Sequence, residues 1–158
     1  MDKVLVTGVD GLVGANVASV LAERCLVLGT AGQAIGPEGC RVLDCDPYRA
    51  SDLAQAIAAE TPRYIIHCGP LSRPQWDSAE ITPPDAEREV SLATSIVDAA
   101  QRVGARSAII LTDAVFAGPR LFHTEASPPH ADTPLAEAAI AVEQALSDRN
   151  TLVVRTHA

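Results

Sequence analysis

Near its N-terminus the chain reads Thr7-Gly8-Val9-Asp10-Gly11-Leu12-Val13-Gly14, between an apolar stretch of strand length and a segment of helical period. Each glycine of this turn meets a separate physical requirement. Gly8 permits a tight turn, Gly11 lets the backbone approach a ligand, and Gly14 lets the helix pack close to the sheet. The free amides and the dipole at the helix start attract phosphate groups. This strand, turn and helix together predict the phosphate-binding corner of a dinucleotide-binding fold.

The rest of the chain alternates apolar runs with segments of helical period, which is typical of a parallel sheet covered by helices. The predicted strands are Lys3–Thr7, Cys25–Gly29, Cys40–Asp44, Tyr64–His67, Arg106–Thr112 and Thr151–Arg155. The predicted helices are Leu12–Glu23, Ser51–Glu60, Asp85–Val103 and Pro134–Asp148. We therefore predict one three-layer, Rossmann-like α/β domain over residues 1–158, with a six-stranded parallel sheet in the order 3-2-1-4-5-6.

Local signals set the ends of two helices. Ser51 is predicted to cap the second helix, with Asp52 favourable in its first turn. Thr133 followed by Pro134 resembles an N-cap with proline at the first helical position.

Charge and composition exclude several classes of function. The 158 residues include 20 acidic and 12 basic side chains, for a net charge of −8, which argues against binding to nucleic acid or anionic lipid. No apolar run is long enough to span a bilayer, and Met1–Val4 lacks the basic region and apolar core of a signal peptide. We therefore expect a cytoplasmic protein. The four cysteines have no CxxC spacing, so we expect free thiols and no metal site.

Two proline-rich stretches, 69–84 and 118–134, each follow a predicted strand. In an open α/β sheet ligands bind at the carboxyl ends of the strands, so these loops are expected either to line a site or to serve as linkers. Trp76, the single tryptophan, lies in the first loop and is interpreted either as a stacking residue or as an anchor for the loop.

The glycine turn has the spacing GxxGxxG, and with other segments it resembles the extended short-chain dehydrogenase/reductases, particularly the dTDP-4-dehydrorhamnose reductase-like group. The resembling segments are Val4–Gly14, Arg41–Asp44, Ile66–Gly69, Val90–Gly104, Leu111–Gly118 and Val153–Thr156. The segment Thr112-Asp113-Ala114-Val115-Phe116-Ala117-Gly118 is the most family-specific of them.

The resemblance implies a bound NAD or NADP. The residues it assigns to cofactor binding are Gly8, Asp10, Gly11, Leu12, Gly14, Asp44, Cys45, Cys68 and Gly69. Asp44 matches the family position that contacts the adenine, although a simple strand-end cap explains it equally well. After the second strand the chain reads Gly29-Thr30-Ala31-Gly32, with no acid or arginine, so the sequence does not choose between NAD and NADP.

The catalytic machinery of the resembling family is incomplete. Its reductases use a Ser/Thr after the fifth strand and a Tyr-x-x-x-Lys pair on the next helix. Thr112 occupies the first position, but Leu135 and Ala139 stand where the tyrosine and lysine belong. The chain has only Tyr48, Tyr64 and Lys3, so no other alignment restores the pair. It also ends just after the sixth strand, which implies that the substrate domain is missing.

The same helix carries an apolar stripe at helical spacing, predicted either to cover the sheet or to form a dimer contact. The stripe consists of Leu135, Ala138, Ala139, Val142, Ala145 and Leu146. Other candidates for chemistry are His67 at a strand end and the loop residues His123, Glu125, His130 and Asp132. For each of these an ordinary hydrogen-bonded or solvated side chain is the simpler explanation.

Three hypotheses about function remain open at this point. The first is a degenerate reductase relative that serves as a nucleotide-binding or regulatory module, as a homodimer or with a partner protein. The second is an enzyme of non-redox chemistry, such as dehydration, isomerisation or cyclisation, in a biosynthetic pathway, using Thr112, Asp113 or His67. The third is a reductase half-site completed by a second chain.

Overall fold

A parallel six-stranded sheet organises the computed structural model, which describes residues 1–32, 35–73, 85–116 and 122–157. The strands are β1 (Lys3–Thr7), β2 (Leu26–Thr30), β3 (Cys40–Val42), β4 (Tyr64–His67), β5 (Arg106–Thr112) and β6 (Leu152–Thr156). Their order is β3-β2-β1-β4-β5-β6, and every neighbouring pair is parallel. This confirms the predicted fold class and strand order. The register brings Thr7 beside both Thr30 and His67 at the carboxyl edge.

Helices cover both faces of the sheet, as the three-layer prediction requires. They are α1 (Leu12–Ala22), α2 (Ala50–Glu60), α3 (Ala86–Val103) and α4 (Pro134–Ala145). Helix α1 packs beside β1 and β2, while α2, α3 and α4 pack side by side on the other face. Short 3-10 turns occur at Pro70–Ser72 and Asp113–Val115. None of the helices in the described ranges is long and apolar enough to cross a membrane.

Most element boundaries agree with the sequence to within one to three residues, but two differences matter. Strand β3 ends at Val42, so Asp44 lies in the loop that follows it and not on the strand. The cap assigned to Ser51 is wrong, because α2 begins at Ala50 with Arg49 at the N-cap and no side chain caps it. The Ser51 hydroxyl instead contacts the Asp52 carboxylate at 3.0 Å.

The predicted start of α4 is confirmed. The Thr133 hydroxyl accepts a hydrogen bond from the Ala136 amide at 3.1 Å, and Pro134 occupies the first turn. Helix α3 has the same kind of start, since the Asp85 carboxylate accepts from the amides of Glu87 and Arg88. Each helix runs antiparallel to the strands it connects and therefore begins at the carboxyl edge of the sheet, so both capped ends lie at that edge.

The core consists of aliphatic side chains on both faces of the central strands. On the face of α2 and α3, Leu5, Leu28 and Ile65 are buried against Ile57 and Ile96. On the face of α1 the corresponding side chains are Val4, Val6 and Val27. Burial of one such side chain stabilises the fold by about 1.5–3 kcal/mol. This core fixes β1 and β4, whose ends carry the residues described below.

One part of the sheet lacks a covering helix among the described residues. On the face of α1, beyond that helix, Tyr64, Ile66, Ala108 and Leu152 line a groove across β4, β5 and β6. Leu152 is 61% exposed there. We call this surface the β4–β6 groove.

Candidate functional site

The glycine turn has the backbone geometry that its sequence predicts. Gly8 has φ +67°, and a Cβ on it would lie 2.0 Å from the Cys68 carbonyl oxygen. A Cβ on Gly14 would lie 2.1 Å from the Gly8 carbonyl oxygen. Both positions therefore exclude any side chain. Gly11 differs, since its nearest neighbour for a Cβ would be the Gly8 carbonyl oxygen at 3.4 Å. The close contacts at Gly8 and Gly14 hold β1, α1 and β4 together, while Gly11 leaves space open.

The N-terminus of α1 is not capped by any side chain. Gly11 occupies the N-cap, and the first turn contains no acidic residue. The first intrahelical hydrogen bond runs from the Ala15 amide to the Gly11 carbonyl at 2.9 Å. The amides before Ala15, including those of Leu12 and Val13, thus have no intrahelical acceptor. Uncapped amides beside an open glycine form a cradle suited to an anion.

A buried hydrogen-bond group lies beside the turn. The Thr7 hydroxyl accepts from the Cys68 amide at 3.2 Å and contacts His67 Nδ1 at 2.7 Å. We assign the hydroxyl proton to the bond with Nδ1, because this arrangement gives that proton an acceptor, and the imidazole is then neutral with its proton on Nε2. Burial agrees with this assignment, since it lowers the pKa of His67 to about 4. It also raises the pKa of the Cys68 thiol to about 12, so this thiol stays protonated.

These residues line one cleft at the carboxyl edge of the sheet. The predicted site residues that line this cleft are Gly8, Asp10, Gly11, Leu12, His67, Cys68 and Gly69. Thr7, Tyr48, Ser72, Arg73 and Leu92 also line it. Gly14 is buried beneath the turn and contributes through packing.

A second hollow continues from the cleft past the end of β2, and Pro47 and Tyr48 line both. It contains the remaining two predicted cofactor residues, Asp44 and Cys45. Burial raises the pKa of the Cys45 thiol, and the carboxylates of Asp52, Asp44 and Asp46 raise it further. The hollow is therefore a region of negative potential.

The two other catalytic candidates lie elsewhere on the same edge. Thr112 is 1% exposed, and its hydroxyl accepts from the Ala114 amide at 3.1 Å, so it caps the 3-10 turn after β5. An Asp113 carboxylate oxygen lies 2.9 Å from Nδ1 of His157, which follows β6. Neither Thr112 nor Asp113 lines the cleft beside the glycine turn. The structure thus brings His67 to the cleft and leaves Thr112 and Asp113 at the β5–β6 end.

The loop candidates do not converge on a site. His123 stacks on Phe116 with 5.0 Å between ring centroids, and the guanidinium of Arg155 lies 4.8 Å from the centroid of the same ring. Glu125, His130 and Asp132 are exposed. No group of three or more His, Cys, Asp or Glu side chains in the described ranges could hold a metal ion. Trp76 and most of the stretch 69–84 lie outside the described residues.

The face of α4 where the resembling reductases carry their tyrosine and lysine is buried in this chain. Leu135 is 7% exposed and Ala139 is 0% exposed, and both pack in a core cluster with Leu71, Val97 and Ile109. The stripe therefore covers the sheet and α3. Ala145 alone is exposed, although it was predicted to belong to the stripe. Of the two roles predicted for this stripe, the structure supports packing within the chain.

Sequence reasoning missed several residues that the structure places at these sites, among them Thr7, Tyr48 and His157. Tyr48 spans the cleft and the hollow, and the Arg88 guanidinium lies 5.3 Å from its ring centroid. Thr7, the first residue of the turn, bonds His67. His157 pairs with Asp113. Of these residues, Tyr48 could have been noticed in the sequence, because it is one of only two tyrosines and follows Asp46-Pro47, a turn-forming pair.

The fold defines a Rossmann-like α/β domain as the class of structure, with the cleft beside its glycine turn. The family model of the NAD dependent epimerase/dehydratase family matches residues 4–152. The chain therefore belongs to that family. No curated protein matches the sequence.

Several solved structures share the fold. A UDP-glucose 4-epimerase from Brucella ovis in complex with NAD has a TM-score of 0.80 at 18% identity, covering 99% of this chain and 52% of that one. The Bordetella bronchiseptica enzyme WbmH in complex with NAD+ has a TM-score of 0.76 at 19% identity, with 99% and 56% covered. A hypothetical dTDP-4-dehydrorhamnose reductase from Sulfolobus tokodaii has a TM-score of 0.78 at 20% identity, also with 99% and 56% covered. The chain spans about half the length of these structures.

Proposed function

We propose that this protein is a dinucleotide-binding module that binds NAD(H) or NADP(H) at the glycine turn and does not act as a Tyr-Lys-dependent ketoreductase. Family membership and the NAD complexes of proteins with the same fold support the ligand class. The absence of the catalytic pair supports the limit on its chemistry.

The uncapped N-terminus of α1 is the single observation that carries the proposal. The space beside Gly11 and the amides of Leu12 and Val13 fit a pyrophosphate, whose oxygens accept from those amides. Asp and Glu, which would repel it, are absent from the first turn of α1. Arg73 lines the same cleft and adds a positive charge. The residues present therefore fit a dinucleotide.

The positions of the tyrosines and the lysine argue against ordinary hydride transfer. Lys3 begins β1 at the amino edge and is paired with Glu60 at 3.2 Å. Tyr64 begins β4 at the same edge. Tyr48 is the one tyrosine in the cleft, and no lysine can accompany it because Lys3 is the only one in the chain. A bound dinucleotide would supply hydride exchange, but no Tyr-Lys pair stands ready to move the proton that accompanies it.

The residues of the cleft have defined tasks toward such a ligand. The α1 amides hold the pyrophosphate, and the Tyr48 ring offers a flat surface at the entrance to the hollow. The neutral His67 keeps its imidazole under Gly69 and contributes no charge to the cleft. A non-redox reaction that uses His67 together with Thr112 and Asp113 finds less support, because the latter two lie outside this cleft.

The substitution Gly11→Asp tests the proposal sharply. An aspartate at this N-cap would accept from the α1 amides and change the stability of the helix by roughly a few tenths of a kcal/mol, while its charge would displace the phosphates. Isothermal titration calorimetry should show that the wild type binds NAD+ or NADH and that Gly11→Asp binds at least tenfold more weakly.

The matched control is Val20→Asp, which adds the same charge on α1 at a residue that is 67% exposed and outside the cleft. It should bind the dinucleotide as the wild type does, and both variants should unfold at temperatures close to that of the wild type. No binding by the wild type at millimolar dinucleotide would overturn the proposal.

We further propose that the module acts as a homodimer through the β4–β6 groove. The α4 stripe is buried within the chain and is not available for a dimer contact. In the sheet that the described residues form, strand β6 is an edge and carries the exposed Leu152 beside the groove. A second copy would bring its own β6 edge and the neighbouring apolar side chains to this surface. A two-fold axis would then pair the backbone groups of both edge strands at once.

A further inference from the structure

The end of β2 has no acidic residue of its own, yet the fold brings a carboxylate to it. Here Thr30-Ala31-Gly32 stands where an acid would bind the ribose in an NAD-specific protein. An Asp10 carboxylate oxygen accepts from the Gly32 amide at 2.9 Å. Asp10 belongs to the glycine turn, 22 residues earlier in the chain. The carboxylate that the end of β2 lacks in its own sequence is therefore supplied by Asp10, in the loop after β1.

The position of this carboxylate relative to the cleft decides what it would meet. A dinucleotide with its pyrophosphate on α1 places its adenosine toward the end of β2. In this chain that direction leads from Gly11 past Asp10 and Gly32 into the hollow lined by Asp44, Asp46 and Tyr48. A Cβ on Gly32 would lie 3.3 Å from Asp10 Oδ2 and 3.7 Å from the Tyr48 hydroxyl. Asp10 and Tyr48 thus flank the entrance that the adenosine ribose would occupy.

The charges around this entrance are unequal. Asp10, Asp44 and Asp46 line the cleft and the hollow. Arg73 lines the cleft, but among the described residues no lysine or arginine lines the hollow itself. Of the nearby cations, Arg49 lies 4.0 Å from Asp46 and Arg88 lies over the Tyr48 ring. The residues between the described ranges, Gln33 and Ala34, carry no charge. A phosphate on the ribose would bring a further charge of about −1.5 to −2 into this region without an arginine fork to receive it.

We propose that Asp10 makes this site selective for NAD(H) over NADP(H). Its carboxylate accepts from the hydroxyls of the adenosine ribose, and it repels a 2′-phosphate at the same place. This inference rests on the proposed dinucleotide site and adds its selectivity. The sequence after β2 does not choose between NAD and NADP, and this inference assigns that selectivity to Asp10 of the glycine turn.

The experiment compares the Kd values of NADH and NADPH by calorimetry for the wild type and Asp10→Asn. The asparagine keeps an oxygen for the Gly32 amide and removes the charge, so the turn should retain its structure. We expect the wild type to bind NADH at least tenfold more tightly than NADPH, and Asp10→Asn to reduce this ratio to about threefold or less. Asp46→Asn is the matched control, since it removes the same charge from the hollow without touching Gly32, and should change the ratio less.

The outcomes separate this inference from the proposal beneath it. If the wild type binds both dinucleotides equally, or if Asp10→Asn leaves the ratio unchanged, the selectivity role is wrong and the dinucleotide site stands. If the wild type binds neither, both are wrong. Should Asp10→Asn show a lower unfolding temperature, Asp10→Ser, which also removes the charge, provides the second measurement.

Discussion

At the scale of single residues, His67 shows how burial changes what a side chain can do. A histidine at a strand end beside a cleft suggests an acid or base that titrates near neutral pH. In the structure its ring is 5% exposed and bonded to the Thr7 hydroxyl, and burial lowers its pKa to about 4. A neutral imidazole carries no positive charge that could attract an anionic ligand. His67 therefore contributes hydrogen bonding and packing at physiological pH.

The lowered pKa of His67 makes stability depend on pH in a predictable direction. The unfolded chain takes up a proton at His67 near pH 6.5, while the folded chain takes it up only near pH 4. The stabilisation from the neutral ring is thus fully present above about pH 6.5 and is lost as the pH falls toward 4. A shift of this size corresponds to about 3 kcal/mol.

Urea unfolding at a series of pH values between 7 and 4 would measure this loss. The variant His67→Asn should be less stable than the wild type at pH 7, and the difference between the two should shrink as the pH falls. Taking the difference removes the effect of carboxylates such as Glu60, whose pKa is lowered by its bonds to Arg41 and Lys3. A constant difference across this range would contradict the assigned neutral state.

Much of the candidate site could be predicted from single residues. The rest depended on which residues, far apart in the sequence, the fold brings together. The glycine turn could be predicted because its three glycines have a regular spacing between a strand and a helix, and Gly8 and Gly14 do occupy positions that exclude a side chain. Asp10 could be named as a cofactor residue, but its approach to Gly32 depends on how β1 and β2 pair, which no local pattern encodes. The bond between Asp113 and His157 likewise joins residues 44 positions apart.

At the scale of elements, the apolar stripe of α4 is a packing surface within the chain. Five of the six residues of its predicted stripe are buried, and they face α3 and β5. Alanines at two of these positions let α4 approach its neighbours closely. The sequence period predicted this helix and its apolar face. It could not decide between intrachain packing and a dimer contact, because both bury the same stripe.

Ala139→Lys would place the family's lysine back at its position on α4 and tests how closed this face is. Ala139 is 0% exposed, so the ammonium group would be buried without a partner. We expect a loss of about 3 kcal/mol or more in the free energy of unfolding, measured by urea denaturation. Gln144→Lys, on the exposed side of the same helix, should change it by less than about 0.5 kcal/mol. A well-tolerated lysine at 139 would show that this face opens toward the cleft.

The ends of the elements were less predictable than their existence, for reasons that the hydrogen bonds explain. Ser51 has the residue type of an N-cap, but the loop before α2 already turns at Asp46, whose carboxylate accepts from the Tyr48 amide at 2.9 Å. The helix therefore starts at Ala50, two residues before the start that an N-cap at Ser51 would give. Strand β3 stops at Val42 although Leu43 continues the apolar run, and Asp44 consequently reaches the hollow as a loop residue.

At the scale of the whole molecule, the two faces of the sheet are covered unequally. Three helices cover one face, while on the other the described residues provide α1 alone. The strands buried on both sides read as continuous apolar runs, and β4 to β6 have the same character even where no helix lies over them. An apolar face of this kind, next to an unpaired strand edge, is the physical basis for the proposed homodimer.

The substitution Leu152→Glu tests that assembly. A carboxylate at the most exposed apolar residue of the β4–β6 groove would oppose its own copy across a two-fold axis, and like charges on paired edge strands repel. Size-exclusion chromatography with light scattering should give the wild type twice the chain mass of 16.5 kDa and Leu152→Glu the single mass. Val20→Glu, an exposed apolar residue of α1 outside the groove, should leave the dimer intact. A monomeric wild type would contradict the homodimer, and a dimer that survives Leu152→Glu would exclude this groove as its interface.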